Sequence, residues 1–98
     1  VAGTGALTPD GSVEFPRDTY AQARRACEII IDALRELGAG PEHVVRTRIY
    51  LRRPEDWIDV GPAHDEFFGE ARPVSTLVTV VGFLHPALMV EIEAEAEL

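Results

Sequence analysis

By residue type, the groups in this 98-residue chain that could do chemistry are one cysteine, three histidines and a terminal run of glutamates. Cys27 recurs with apolar residues at steps of three and four and has no histidine partner nearby, so it reads as a buried structural thiol rather than a nucleophile. His43, His64 and His85 fall in three different segments, without a cysteine or second histidine at ligand spacing. No metal site is expected, and no cofactor is implied. Gly3-Thr4-Gly5 opens like a phosphate loop, but Thr8 stands where the third glycine belongs and no helix follows. Neither a Gly-x-Ser-x-Gly elbow nor a Ser-His-Asp order marks a serine hydrolase.

Charge narrows the partners. Nine basic residues, all arginine, stand against seventeen acidic ones, a formal charge of −8. A phosphate backbone would be repelled, so nucleic acid is not an expected partner. With one cysteine there is no internal disulfide, which fits a reducing compartment. No apolar run approaches the ~18 residues of a membrane span, and no signal-like segment is present. No membrane partner is expected, and the expected location is cytoplasmic.

The elements that must position these residues follow from period. Thr19 to Leu37 reads as a helix with a Thr19/Gln22 capping box and an apolar stripe of Tyr20, Ala23, Cys27, Ile30, Leu34 and Leu37. Gln22 falls among its surface residues, and Gly38 ends it. Val45 to Leu51 alternates as a strand, with Val45, Thr47, Ile49 and Leu51 toward a core and Arg46, Arg48, Tyr50 and Arg52 on a polar face. From Pro54 a second helix carries Trp57, Val60, His64, Phe67 and Phe68 as its apolar stripe; Pro62 predicts a kink or restart near Asp59. Residues 72–81 read as a strand buried from two sides. Leu88 to Glu97 alternates, placing Glu91, Glu93, Glu95 and Glu97 on one face, where the arginines of the earlier strand can pair with them. At the start, Val1 to Leu7 is a strand end, Pro9-Asp10-Gly11 a turn and Ser12 to Phe15 a short returning strand. Val1-Ala2-Gly3 looks like the middle of a strand, so a preceding strand is expected to be missing.

Residues 1–98 thus predict a single α+β domain, a mixed β-sheet with two helices packed on one face. Two helices cannot cover both sides of the Ser75 to Val81 strand. A second copy of the chain is the economical cover.

Arg72-Pro73-Val74-Ser75-Thr76-Leu77-Val78, then a corner with Pro86 and Val90-Glu91-Ile92-Glu93-Ala94, resembles the signature end of the Rid family, also called YjgF/YER057c/UK114. Gly38 to Leu51 and Glu66-Phe67-Phe68 extend the likeness over most of the chain. The resemblance implies a homotrimer with small-molecule clefts between subunits, where members hydrolyse reactive enamines and imines such as 2-aminoacrylate. It also implies Glu91 as the catalytic, water-positioning residue. Ala2, Gly3, His64, Arg72, Ser75, Thr76 and Leu77 would border the ligand. Members carry a carboxylate-binding arginine where this chain has Ser75. Arg72, three residues earlier, would lie about 10 Å along an extended strand and on its opposite face, so it is not expected to replace that clamp. A non-catalytic ligand sensor or protein-interaction module on the same scaffold is the alternative. A third reading, the ribonuclease activity that some relatives carry as a label, conflicts with the charge.

Overall fold

Asp18, rather than Thr19, caps the first helix in the computed structural model, which describes residues 1–98. Its carboxylate accepts from the Ala21 N–H at 3.1 Å, and α1 runs Thr19–Glu36. The expected capping box is replaced because both of its members are used elsewhere. Thr19 donates to Asp56 at 3.0 Å. Gln22 is buried, not on the surface: its amide donates to the Phe15 and Ala87 carbonyls at 3.0 and 2.8 Å and accepts from the Met89 N–H at 2.7 Å. Gly38, at φ +84°, closes the helix in the left-handed region. Tyr20 and Leu37 lie outside the core, with Leu37 75% exposed.

Three strands form the sheet: β1 (Val44–Leu51), β2 (Val74–Thr79) and β3 (Val90–Ala96), in the order β2-β1-β3. β1 pairs parallel with β2 and antiparallel with β3, so the sheet is mixed. A register shift between Val44 and Arg46 puts Val44 in the core and leaves Val45 exposed, which corrects the simple alternation at that end. From Thr47 onward the alternation holds. At the start of the chain, the expected strands reduce to isolated bridges, Thr4 with Ile92 and Leu7 with Val13.

A 3-10 turn, Pro54–Asp56, leads into α2 (Trp57–Phe68), which runs through Pro62 without the restart expected near Asp59. Pro62 frees the carbonyl of Ile58, and Ile58 is itself exposed, so water can take that role. Trp57 is also exposed, contrary to its place in the predicted stripe; Val60, Ala63, His64 and Phe68 are the buried face.

Both helices cover one face of the sheet. Ala26, Cys27, Ile30 and Leu34 meet Ile49, Leu51, Val90, Ile92 and Ala94, while Val60, Ala63 and Phe68 close the side. Cys27 is fully buried, as a structural thiol should be, and desolvation pushes it up to about 12. β2 departs from expectation. All six of its residues are exposed within the single chain, because the core ends at β1 and α2 does not close over the edge strand. Val74, Leu77, Val78, Val81 and Leu84 extend that exposed apolar surface. No helix is long and apolar enough to cross a membrane.

Candidate functional site

The β1–β2 register sets Thr47 beside Ser75. On the core face a threonine hydroxyl must find a partner, and Thr47, fully buried, finds two. Its Oγ1 lies 2.6 Å from Ser75 Oγ and 2.8 Å from Nε2 of His64, which α2 delivers from above. The His64 ring packs 5.2 Å from Phe68, and burial lowers its pKa, against a smaller opposing pull from Asp65. Its neutral form is therefore favoured.

Ser75 and His64 stand at the wall of a 330 Å³ cavity between α2 and the edge strand, with Thr47 buried behind them. Ile49, Trp57, Phe68, Pro73 and Leu77 make its apolar lining, and Arg72 joins them. Arg72 does not lie on the far face, as counting residues along a strand predicts. It sits before β2 at φ 50°, with its N–H donating to the Phe68 carbonyl at 3.1 Å. The chain is folded back there rather than extended, so alternation does not apply. None of the ion pairs of the chain involves Arg72.

Glu91 lies on the other side of the sheet. It is opposite Tyr50 in register, on the face shared by Arg46, Arg48 and Glu93, while Val90 and Ile92 beside it are buried among the core residues. The hydroxyl of Tyr50 donates to Glu93, and Arg48 approaches Glu93 at 3.5 Å, so one of the expected cross-strand arginine–glutamate pairs is present, while Arg46 makes none. Glu91 has no such cation. Desolvation raises its pKa. Gly3 gives it room: a Cβ there would sit 2.9 Å from Glu91 Oε1. Ala2, next in the chain, is exposed, and its carbonyl accepts from Thr4 at 2.8 Å. Thr76 follows Ser75 and so turns to this same face, opposite Arg48.

A model of the Endoribonuclease L-PSP family matches residues 1–98. The chain belongs to that family, the YjgF/Rid family. An uncharacterized protein of Streptomyces coelicolor is 41% identical over 98% of this chain and 71% of its own length. A RutC family protein of Pyrococcus abyssi is 31% identical over 98% of this chain and 75% of its own. Among solved structures, a YjgF/YER057c/UK114 family member from Mycobacterium tuberculosis is 41% identical, with a TM-score of 0.88, over 100% of this chain and 76% of that one.

The sequence-predicted residues of this Rid-family chain therefore divide into two groups. His64, Arg72, Ser75 and Leu77 meet at the cavity beside α2. Ala2, Gly3, Thr76 and Glu91 belong to the opposite face, and none of them lines that cavity. Sequence reasoning missed Thr47, which joins Ser75 to His64. The available signal was a hydroxyl placed among apolar residues on the core face of β1. The other histidines are separate: His43 Nδ1 accepts from the Gly40 N–H at 3.0 Å, and the His85 carbonyl accepts from Arg52 at 3.1 Å. No group of three His, Cys, Asp or Glu side chains lies close enough to hold a metal.

Proposed function

We propose that this Rid-family chain acts as a homotrimer that binds a small reactive metabolite in clefts between subunits and hydrolyses it there as an enamine or imine. One observation carries the reading. The His64/Ser75 cavity and the Glu91/Gly3 face lie on opposite sides of one sheet, and β2, the edge strand that carries Ser75, exposes Val74, Leu77 and Val78. A ligand touching both groups would need one from each of two copies. Covering β2 with a neighbour would bury the same apolar surface.

In the cleft, water adds to the imine carbon, with Glu91 accepting its proton and orienting its lone pair. The proton held on Glu91 passes to the nitrogen to complete the carbinolamine, which then collapses: its hydroxyl proton moves to the nitrogen, the C–N bond breaks and ammonia departs, leaving a carbonyl product. A carboxylate raised by burial suits that exchange. Ser75 serves as a hydrogen-bonding group where other family members place an arginine. We place the protein in the cytoplasm, a reducing compartment that suits its lone buried cysteine.

The alternative, a non-catalytic sensor on the same scaffold, rests on Ser75 itself. Turnover separates the two. Ammonia release from freshly generated imines of several amino acids should depend on Glu91, and no release from any of them would leave the sensor. RNA cleavage is not proposed, because a charge of −8 opposes the phosphate backbone. RNA binding that falls steeply with salt would overturn that exclusion.

A further inference from the structure

The Ser75–Thr47–His64 arrangement has a chemistry of its own. Its members come from β2, β1 and α2, so sheet register and helix packing fix it rather than a loop. Ser75 is exposed at the cavity wall, Thr47 is fully buried and His64 is 8% exposed. A hydroxyl carries one proton, so Thr47 donates to His64 only while accepting from Ser75. Asp65 Oδ1 stands 3.9 Å from His64 Nδ1, favouring the tautomer protonated at Nδ1 and leaving Nε2 as an acceptor. In that tautomer every proton points inward. Ser75 Oγ then turns its lone pairs to the cavity.

We propose that Ser75 is a nucleophile activated through Thr47 by His64, giving the protein an acyl-transfer activity toward small esters with an apolar acyl group. Ser75 Oγ bonds to the carbonyl carbon, its proton passes to Thr47 Oγ1, and the Thr47 proton passes to His64 Nε2. The carbonyl oxygen becomes an oxyanion, for which Arg72 at the same cavity is the unpaired cation. Collapse reforms the carbonyl and breaks the bond to the leaving oxygen, which departs as the alcohol or phenol after taking back the proton held on His64. Water then adds to the acyl carbon, loses its proton to the relay and releases the carboxylic acid, regenerating Ser75. Ile49, Trp57, Phe68 and Leu77 in a 330 Å³ cavity set the acyl group as small and apolar. The reaction uses neither Glu91 nor a second copy of the chain, so it stands or falls separately from imine hydrolysis.

A purely structural hydroxyl chain would satisfy Thr47 and His64 without making Ser75 reactive. The full chain with p-nitrophenyl acetate distinguishes the two, using peptide mass spectrometry to locate the acetyl group. Acetylation is expected at Ser75 at ~100-fold or more the rate at Ser12, an exposed serine, because general-base help contributes ~10²-fold or more. Thr47→Val, checked for its melting transition, should slow Ser75 acetylation by ~100-fold, and Thr47→Ser should restore it to within ~10-fold. Ser75→Ala, at an exposed position, should abolish the labelling of that peptide and the associated p-nitrophenol release. Should Thr47→Val not fold, the Ser75→Ala comparison decides. Equal labelling of Ser12 and Ser75, an unchanged rate in folded Thr47→Val, or unchanged release in Ser75→Ala would overturn the proposal.

Discussion

Placing an arginine at Ser75 tests whether the cleft has the Rid chemistry and has lost only its carboxylate clamp. Ser75 pairs in register with Thr47 on the helix-facing side of β2 and is exposed, so a longer side chain there enters the 330 Å³ cavity rather than the core. The replacement removes one hydrogen bond to Thr47, costing about 1 kcal/mol of stability, and adds a cation beside Arg72. A well-placed hydrogen bond from a charged donor contributes ~1.5–3 kcal/mol, or ~10- to 100-fold in rate. Wild-type protein should turn over 2-aminoacrylate slowly or not at all. Ser75→Arg should raise kcat/KM by ~10- to 100-fold, read as ammonia released from 2-aminoacrylate generated in situ. Adding Glu91→Ala should abolish that gain, because the water loses the carboxylate that orients it. Strong wild-type activity would refute the lost-clamp reasoning, and a gain that survives Glu91→Ala would show that the glutamate is misassigned. The same Ser75→Arg variant should lose acetylation by p-nitrophenyl acetate, so the two activities move in opposite directions.

Light scattering at micromolar concentration should give about three times the 10.8 kDa chain mass, and a stable monomer would remove the intersubunit cleft. Gln22→Ala withdraws the three hydrogen bonds of a buried amide that tie α1 to the Phe15 and Ala87 carbonyls and the Met89 N–H, so urea unfolding should show a loss of about 3 kcal/mol. A loss under about 1 kcal/mol would mean that water replaces the amide. Burial holds His64 below its ordinary 6.5, so on acidification the unfolded chain takes up this proton first. The stability owed to neutral His64 is thus present above pH 6.5 and lost as pH falls through its folded value; His64→Gln should flatten that part of the urea-midpoint profile. Glu91, raised by burial, has the opposite sign: its contribution is present below its ordinary 4.5 and lost as pH rises through its folded value. Glu91→Gln should remove this second dependence.

The strands and helices were legible because period is local. Glu91, Glu93 and Glu95 against Val90, Ile92 and Ala94 could be assigned to two faces without any partner, and the structure keeps that division. Gly38 marked the end of α1 because a left-handed position is cheap only for glycine. The failures lie where a residue's role depends on a distant segment. Gln22 fits a capping box in sequence, but the Ala87 carbonyl and Met89 N–H, more than sixty residues away, take its amide inside. Arg72 was counted along a strand that has not yet begun at that residue. For the site, the signature residues were found but their grouping was not: period two places Ser75 and Thr76 on opposite faces, and with them two halves of the predicted pocket. Thr47 escaped because its hydroxyl acquires meaning only through the parallel pairing with Ser75 and the approach of α2. The same limit explains why β2 looked doubly buried. Its residue types are suited to burial on both faces, yet within one chain all six residues from Val74 to Thr79 stay exposed, because residue type alone does not say where the cover ends.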